Sequence, residues 1–94
     1  MRQLVWGNSF LRALRRTLRQ QPHLQANIEA TLRLLQEDPF APRLATHKLK
    51  RKLASSWACS AAFDLRILFD FVPSERGGED DVFLVGIGSH DEVY

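Results

Sequence analysis

The first apolar run, residues 2–6 (RQLVW), is short and closed by Gly7, which predicts a short strand. Asn8 or Ser9 is placed to cap a helix, because a short polar side chain can accept a bond from a free backbone N–H. In the helix that follows, Phe10, Leu11, Leu14 and Leu18 fall on one stripe, with Arg12, Arg15, Arg16 and Arg19 on the remainder. Pro22 suits the first turn of a second helix, where its missing N–H costs nothing. Leu24, Ile28, Leu32 and Leu35 continue that helix, and Asp38-Pro39 ends it.

Beyond Pro42 the period changes. Residues 57–63 (WACSAAF) and 65–72 (LRILFDFV) have strand composition. In the second, Leu65, Ile67, Phe69 and Phe71 alternate onto one face, and Arg66 and Asp70 onto the other. Residues 73–81 form a polar loop with a Gly-Gly turn, and 82–88 (VFLVGIG) a nearly all-apolar, central strand. The pattern predicts one α+β domain over residues 1–94. A short N-terminal strand and a two-helix hairpin precede an antiparallel β-meander, with the helices on one sheet face.

Composition sharpens this picture in two ways. The single cysteine, Cys59, excludes an internal disulfide and, with no Cys/His pairs at ligand spacing, argues against a secreted scaffold or a structural zinc site. No metal or cofactor is expected. Residues 1–10 lack the apolar core of a signal peptide, and no apolar run reaches the length of a membrane span, so a cytoplasmic location is expected. The formal charge of +2 hides a strong asymmetry. Residues 1–53 carry eleven Lys/Arg against three Asp/Glu, a balance of +8, and residues 54–94 carry two against eight, a balance of −6. A basic half of this kind points toward nucleic acid, although two Arg-rich solvated helices would produce the same count.

Polar side chains gather near the ends of the uncovered sheet face. His47 precedes the run KLKRK at 48–52, Asp64 precedes the alternating strand, Arg66 projects from it, and His90 closes the last strand beside Ser89, Asp91 and Tyr94. Metal-independent RNA cleavage needs these types: a base for the 2′-OH, an acid for the leaving oxygen, and cations for the phosphorane. Histidine as a residue type suits either proton transfer near neutral pH. Lys48, Lys50, Arg51, Lys52 and Arg66 are the candidate RNA-binding cations, and Tyr94 could stack on a base. Each has a plainer reading. The histidines could be satisfied surface residues, Asp64 a turn residue and the basic run a solvated loop. Trp57 and Phe63 read as core rather than as base platforms, Cys59 as a small buried hydrophobe, and His23 as structural.

Taken together, His47-Lys48-Leu49, Trp57, the run from Phe63 to Phe69 and the ending Gly88-Ser89-His90-Asp91-Glu92-Val93-Tyr94 resemble the RelE/ParE superfamily of bacterial toxins, most closely its YafQ-like mRNA interferase branch. The resemblance implies a RelE-like fold and the toxin of a type II toxin–antitoxin pair. It also implies mRNA cleavage, typically on the ribosome, and silencing by a bound antitoxin. By position it implies proton transfer by His47 and His90, an acidic active-site role for Asp64, and an aromatic beside the scissile site at Tyr94. The chain departs from the pattern at Ser60, Leu65 and Gly86, where the branch carries a histidine, a tryptophan and an arginine. The phosphate-stabilising cation must then come from elsewhere, with Arg66, Lys50 and Arg51 as candidates.

The alternative is a ParE-like toxin that binds and inhibits DNA gyrase without cutting RNA. Retention of His47, Asp64 and His90 favours the nuclease, and Gly86 favours the binder. A third reading is a catalytically inactive protein that binds RNA or antitoxin in transcriptional autoregulation.

Overall fold

The computed structural model describes residues 1–49 and 56–93. Among these described residues, five strands form one mixed sheet: β1 (Leu4–Trp6), β2 (His47–Lys48), β3 (Trp57–Ala62), β4 (Leu65–Val72) and β5 (Asp81–Gly88), in the order β1-β5-β4-β3-β2. β1 runs parallel to β5, and the other pairs are antiparallel. Helices α1 (Asn8–Gln20) and α2 (Gln25–Glu37) pack on one face, and a single turn of helix, α3 (His90–Val93), follows β5. This is the expected α+β arrangement, with two short elements, β2 and α3, added to it. Both are too brief to leave a periodic signal.

The helix stripes are buried as their spacing requires. Phe10 of α1 and Ile28, Leu32 and Leu35 of α2 meet Leu65, Ile67 and Phe69 of β4 and Val82, Leu84 and Ile87 of β5 in one core. Leu14, Leu18 and Leu24 pack at its margin, whereas Arg12, Arg15, Arg16 and Arg19 stay exposed. Pro22 opens a short 3-10 turn, Pro22–Leu24, which links the two helices, and the chain leaves α2 at Asp38. One local expectation is corrected. Gly7, not Asn8 or Ser9, occupies the N-cap of α1, and no side chain caps it. The reason is the closeness of β5: a Cβ on Gly7 would lie 2.4 Å from the Leu84 carbonyl oxygen, to which the Gly7 N–H donates at 3.1 Å. Only glycine lets β1 turn into α1 that close to the sheet.

Part of the acidic half serves the first strand. Asp81 is buried and accepts the Gln3 N–H through Oδ1 at 3.0 Å, and Arg2 reaches Glu79 at 3.1 Å and the Asp80 carbonyl at 2.6 Å. These contacts pin a three-residue strand that would otherwise fray. Two irregularities then shape the end of the sheet that bears the candidate site. The β3–β4 register shifts between Ser60 and Ala62, and the β4–β5 register shifts between Leu68 and Phe69. An extra residue in one strand bends it and increases its twist.

Candidate functional site at the β3–β4 turn

The first shift lies just before the two-residue turn Phe63-Asp64 that joins β3 to β4. Asp64 accepts the backbone N–H of His90 through Oδ1 at 3.2 Å, across 26 residues of sequence. The carboxylate therefore fixes the first residue of α3 against the hairpin. It acts on the His90 backbone, while the imidazole stays largely outside, with a side chain 57% exposed and Nδ1 3.7 Å from an Asp91 carboxylate oxygen. Asp64 and His90 are thus brought together.

The strand-to-helix junction in the motif Gly88-Ser89-His90-Asp91-Glu92 is a capping box. Glu92 Oε1 accepts the Ser89 N–H at 2.8 Å, and Ser89 Oγ accepts the Glu92 N–H at 3.3 Å. A Cβ on Gly88 would come within 3.1–3.3 Å of Glu92 and Val93, so glycine permits the fold-back. The Ser89 N–H and hydroxyl hold the Glu92 carboxyl below its ordinary 4.5, with a lesser contribution from Arg16. A depressed carboxyl stabilises the fold above its unfolded value and loses that contribution as pH falls through the folded value. Stability should therefore decline on acidification below about 4.5 partly through Glu92. In melts between neutral pH and pH 3, Glu92→Gln should begin slightly less stable and show a shallower acid limb.

Arg66 lies on the face opposite the helices, as the alternation of β4 predicts. Its Nη1 donates to the carbonyls of Ala62 at 3.1 Å and Leu65 at 3.2 Å, and more distantly to Phe63 at 3.4 Å. This guanidinium braces the turn, which takes at least one of its nitrogens away from any phosphate. His47 stands on the edge strand β2, paired with Ala58. Its Nδ1 lies 3.0 Å from the Ala45 carbonyl, an acceptor, so Nδ1 carries the proton in this contact. Ala45 adopts a left-handed conformation, φ 50°, to present that carbonyl. Between β2 and β5 lie three strand spacings, about 14 Å. Lys48 also sits on β2, its Nζ 6.0 Å from the centre of the Trp57 ring. Lys50, Arg51, Lys52 and Tyr94 lie outside the described residues.

On the helix side of the turn, a cavity of about 290 Å³ opens between the C-terminal half of α1, the β3–β4 turn and the end of β5. Arg16, Gln20 and His23 line it together with Asp64, so His23 shares a cavity with a candidate site residue. Phe63 stands at the mouth, 99% exposed. Its reading as core is overturned: the register shift ends β3 at Ala62 and leaves Phe63 in the turn. Trp57, in contrast, packs against the core as expected, and Cys59 is fully buried, its thiol pushed up to about 12 chiefly by desolvation. Sequence reasoning places Arg16 on a solvated helix face and gives it no part in the site. Asp64, a common turn residue, was the one available hint that Phe63 belongs to a turn.

No family model and no curated protein matches the chain. Solved structures do. The YoeB/ParE toxin from Agrobacterium tumefaciens superposes with a TM-score of 0.75 at 22% identity, covering 94% of this chain and 98% of that one. YafQ from E. coli gives a TM-score of 0.76 at 11% identity, with 100% and 99% covered. The E. coli DinJ–YafQ complex gives 0.77 at 9% identity, also with 100% and 99% covered. The fold is that of YoeB/ParE- and YafQ-type toxins, the RelE-like fold.

Proposed function

We propose that this chain is the toxin of a type II toxin–antitoxin pair and a metal-independent endoribonuclease, acting in the cytoplasm on ribosome-bound mRNA. The observation that carries the reading is the Asp64–His90 contact, which fixes the backbone of a residue with an exposed imidazole on a RelE-like fold. His90 transfers a proton at the scissile phosphate, and Asp64 positions it through the backbone. His47, on the edge strand β2, shares the acid and base roles with His90. Tyr94 follows α3 directly in sequence and is assigned the stacking role beside His90. A neighbouring structure contains YafQ with DinJ, which supports a cognate antitoxin here. The segment best suited to cover the exposed Arg12, Arg15, Arg16 and Arg19 is acidic or amphipathic and folds on binding.

Induction of the chain followed by primer extension tests the reading: discrete mRNA cuts should precede any arrest of DNA replication. One observation favours the gyrase-binding alternative. Arg66 is engaged by the turn and Gly86 supplies no cation, so Lys48, Lys50, Arg51 and Lys52 are left to neutralise phosphate. If they do so, replacing two of the four by Ala should weaken RNA binding and reduce its salt slope by about one to two units. An unchanged slope returns them to a solvated loop and strengthens the alternative.

A further inference from the structure

We infer that Phe63 and the cavity at its foot form a nucleobase subsite, on the helix side of the β3–β4 turn, that takes an unstacked base of the RNA strand. The inference rests on the ribonuclease reading and adds to it a position that selects sequence. A large aromatic in a tight turn, 99% exposed, has no packing role there. The turn is nonetheless rigid. Arg66 holds the carbonyls of Ala62 and Leu65 from one side, and the Asp64–His90 bond ties it to α3 from the other. The backbone that carries the ring is thus held in place, adjacent in sequence to the residue that positions His90.

The cavity beside it has the size and lining of a base site. Its volume of about 290 Å³ accommodates a single planar heterocycle, and Leu24 and Leu65 supply apolar wall while Gln20 and Gln21 supply amide donors and acceptors. Charge decides which part of a nucleotide enters. Asp64 and Glu92 line the cavity with Arg16, so a phosphate inside would meet two carboxylates, whereas a neutral base edge would not be repelled. Carboxylates accept from exocyclic amino groups, which favours adenine or cytosine over uracil. The backbone then remains outside the cavity, which Arg16 lines. Unstacked bases held on aromatic faces and read along their edges are the usual mode of single-strand RNA recognition.

The test uses the full chain and a single-stranded oligonucleotide whose 2′-hydroxyls are methylated, so that it binds without being cut. Phe63→Ala, Phe63→Trp and wild type are compared by fluorescence anisotropy at low salt, with adenine, cytosine or uracil at each position in turn. Because the ring is exposed, all three proteins should share one unfolding midpoint. The Ala variant should bind on the order of tenfold to a hundredfold more weakly, with Trp restoring affinity and the amino-bearing bases preferred. Equal affinity of Ala and wild type overturns the subsite. So does a loss confined to binding of the antitoxin, which would make Phe63 a protein contact. Cleavage of mRNA is scored separately. Cutting by wild type with Phe63→Ala unchanged in rate and preference sinks the subsite alone. A strand bound through Phe63 but never cut supports the subsite and removes the ribonuclease reading.

Discussion

His90→Ala should lower the single-turnover rate of mRNA cleavage by on the order of 10²–10⁴ while leaving the fold and antitoxin binding nearly intact. The imidazole is more than half exposed, so its loss removes little packing, and the backbone N–H that Asp64 holds survives the substitution. Rate and stability therefore separate, which a merely structural role does not allow. Asp64 gives a companion measurement. Asp64→Asn keeps an oxygen for the His90 N–H but removes the charge, whereas Asp64→Ala removes both. If Asp64 acts by positioning, Asn should retain most of the rate and Ala should lose it. Equal damage from both would give the carboxylate charge a direct part in the chemistry.

The largest expected stability effect lies in the middle of the sheet. Phe69 is fully buried between the two helices and β5, with its ring 5.5 Å edge-on from that of Phe71. Phe69→Ala should cost about 3–5 kcal/mol, the transfer term plus the cavity left by incomplete collapse. Domains of this size are stable by only about 5–15 kcal/mol in total. Urea denaturation should show a midpoint lowered by a large fraction, with the slope unchanged. A loss below about 1 kcal/mol would mean that the core closes around the gap.

Much of this architecture is legible in the sequence, for definite reasons. The stripe through Phe10, Leu14 and Leu18, the stripe through Ile28, Leu32 and Leu35, and the alternation from Leu65 to Phe71 each repeat often enough to fix element and face. The bounds of β4 coincide with the residues read as a strand, 65–72. What the pattern could not show was irregular or non-local. A single extra residue near Ala61 moved Phe63 from core to full exposure, and no periodicity encodes one residue. The parallel pairing of β1 with β5 joins the ends of the chain, and Gly7 marks it only through a close approach visible in three dimensions.

The candidate site was legible to the same degree. Asp64 and His90 stand out by residue type and position, and the structure joins them. His47 has the same residue type, and the strand order puts it on the edge strand β2. Sequence shows which chemical groups a chain owns, and topology decides which of them meet. The ending from Gly88 to Glu92 shows both sides of this. Its serine and glutamate form a capping box, so part of that motif has a structural reason independent of catalysis.

The central claim, acid–base cleavage of RNA at the Asp64–His90 pair, is tested most directly by the chemistry of the cut ends. Purified chain, freed of antitoxin, is incubated with ribosome-bound mRNA that has been assembled with magnesium, and the cleaved fragments are compared with those from His90→Ala. The same reaction is run on naked RNA in excess EDTA. The expected products are 5′-hydroxyl ends opposite 2′,3′-cyclic or 3′-phosphates, formed by wild type and nearly absent with His90→Ala. Any cutting of naked RNA should persist in EDTA. Ends bearing a 5′-phosphate, full cutting by a folded His90→Ala chain, or intact mRNA under conditions that inhibit gyrase would contradict it.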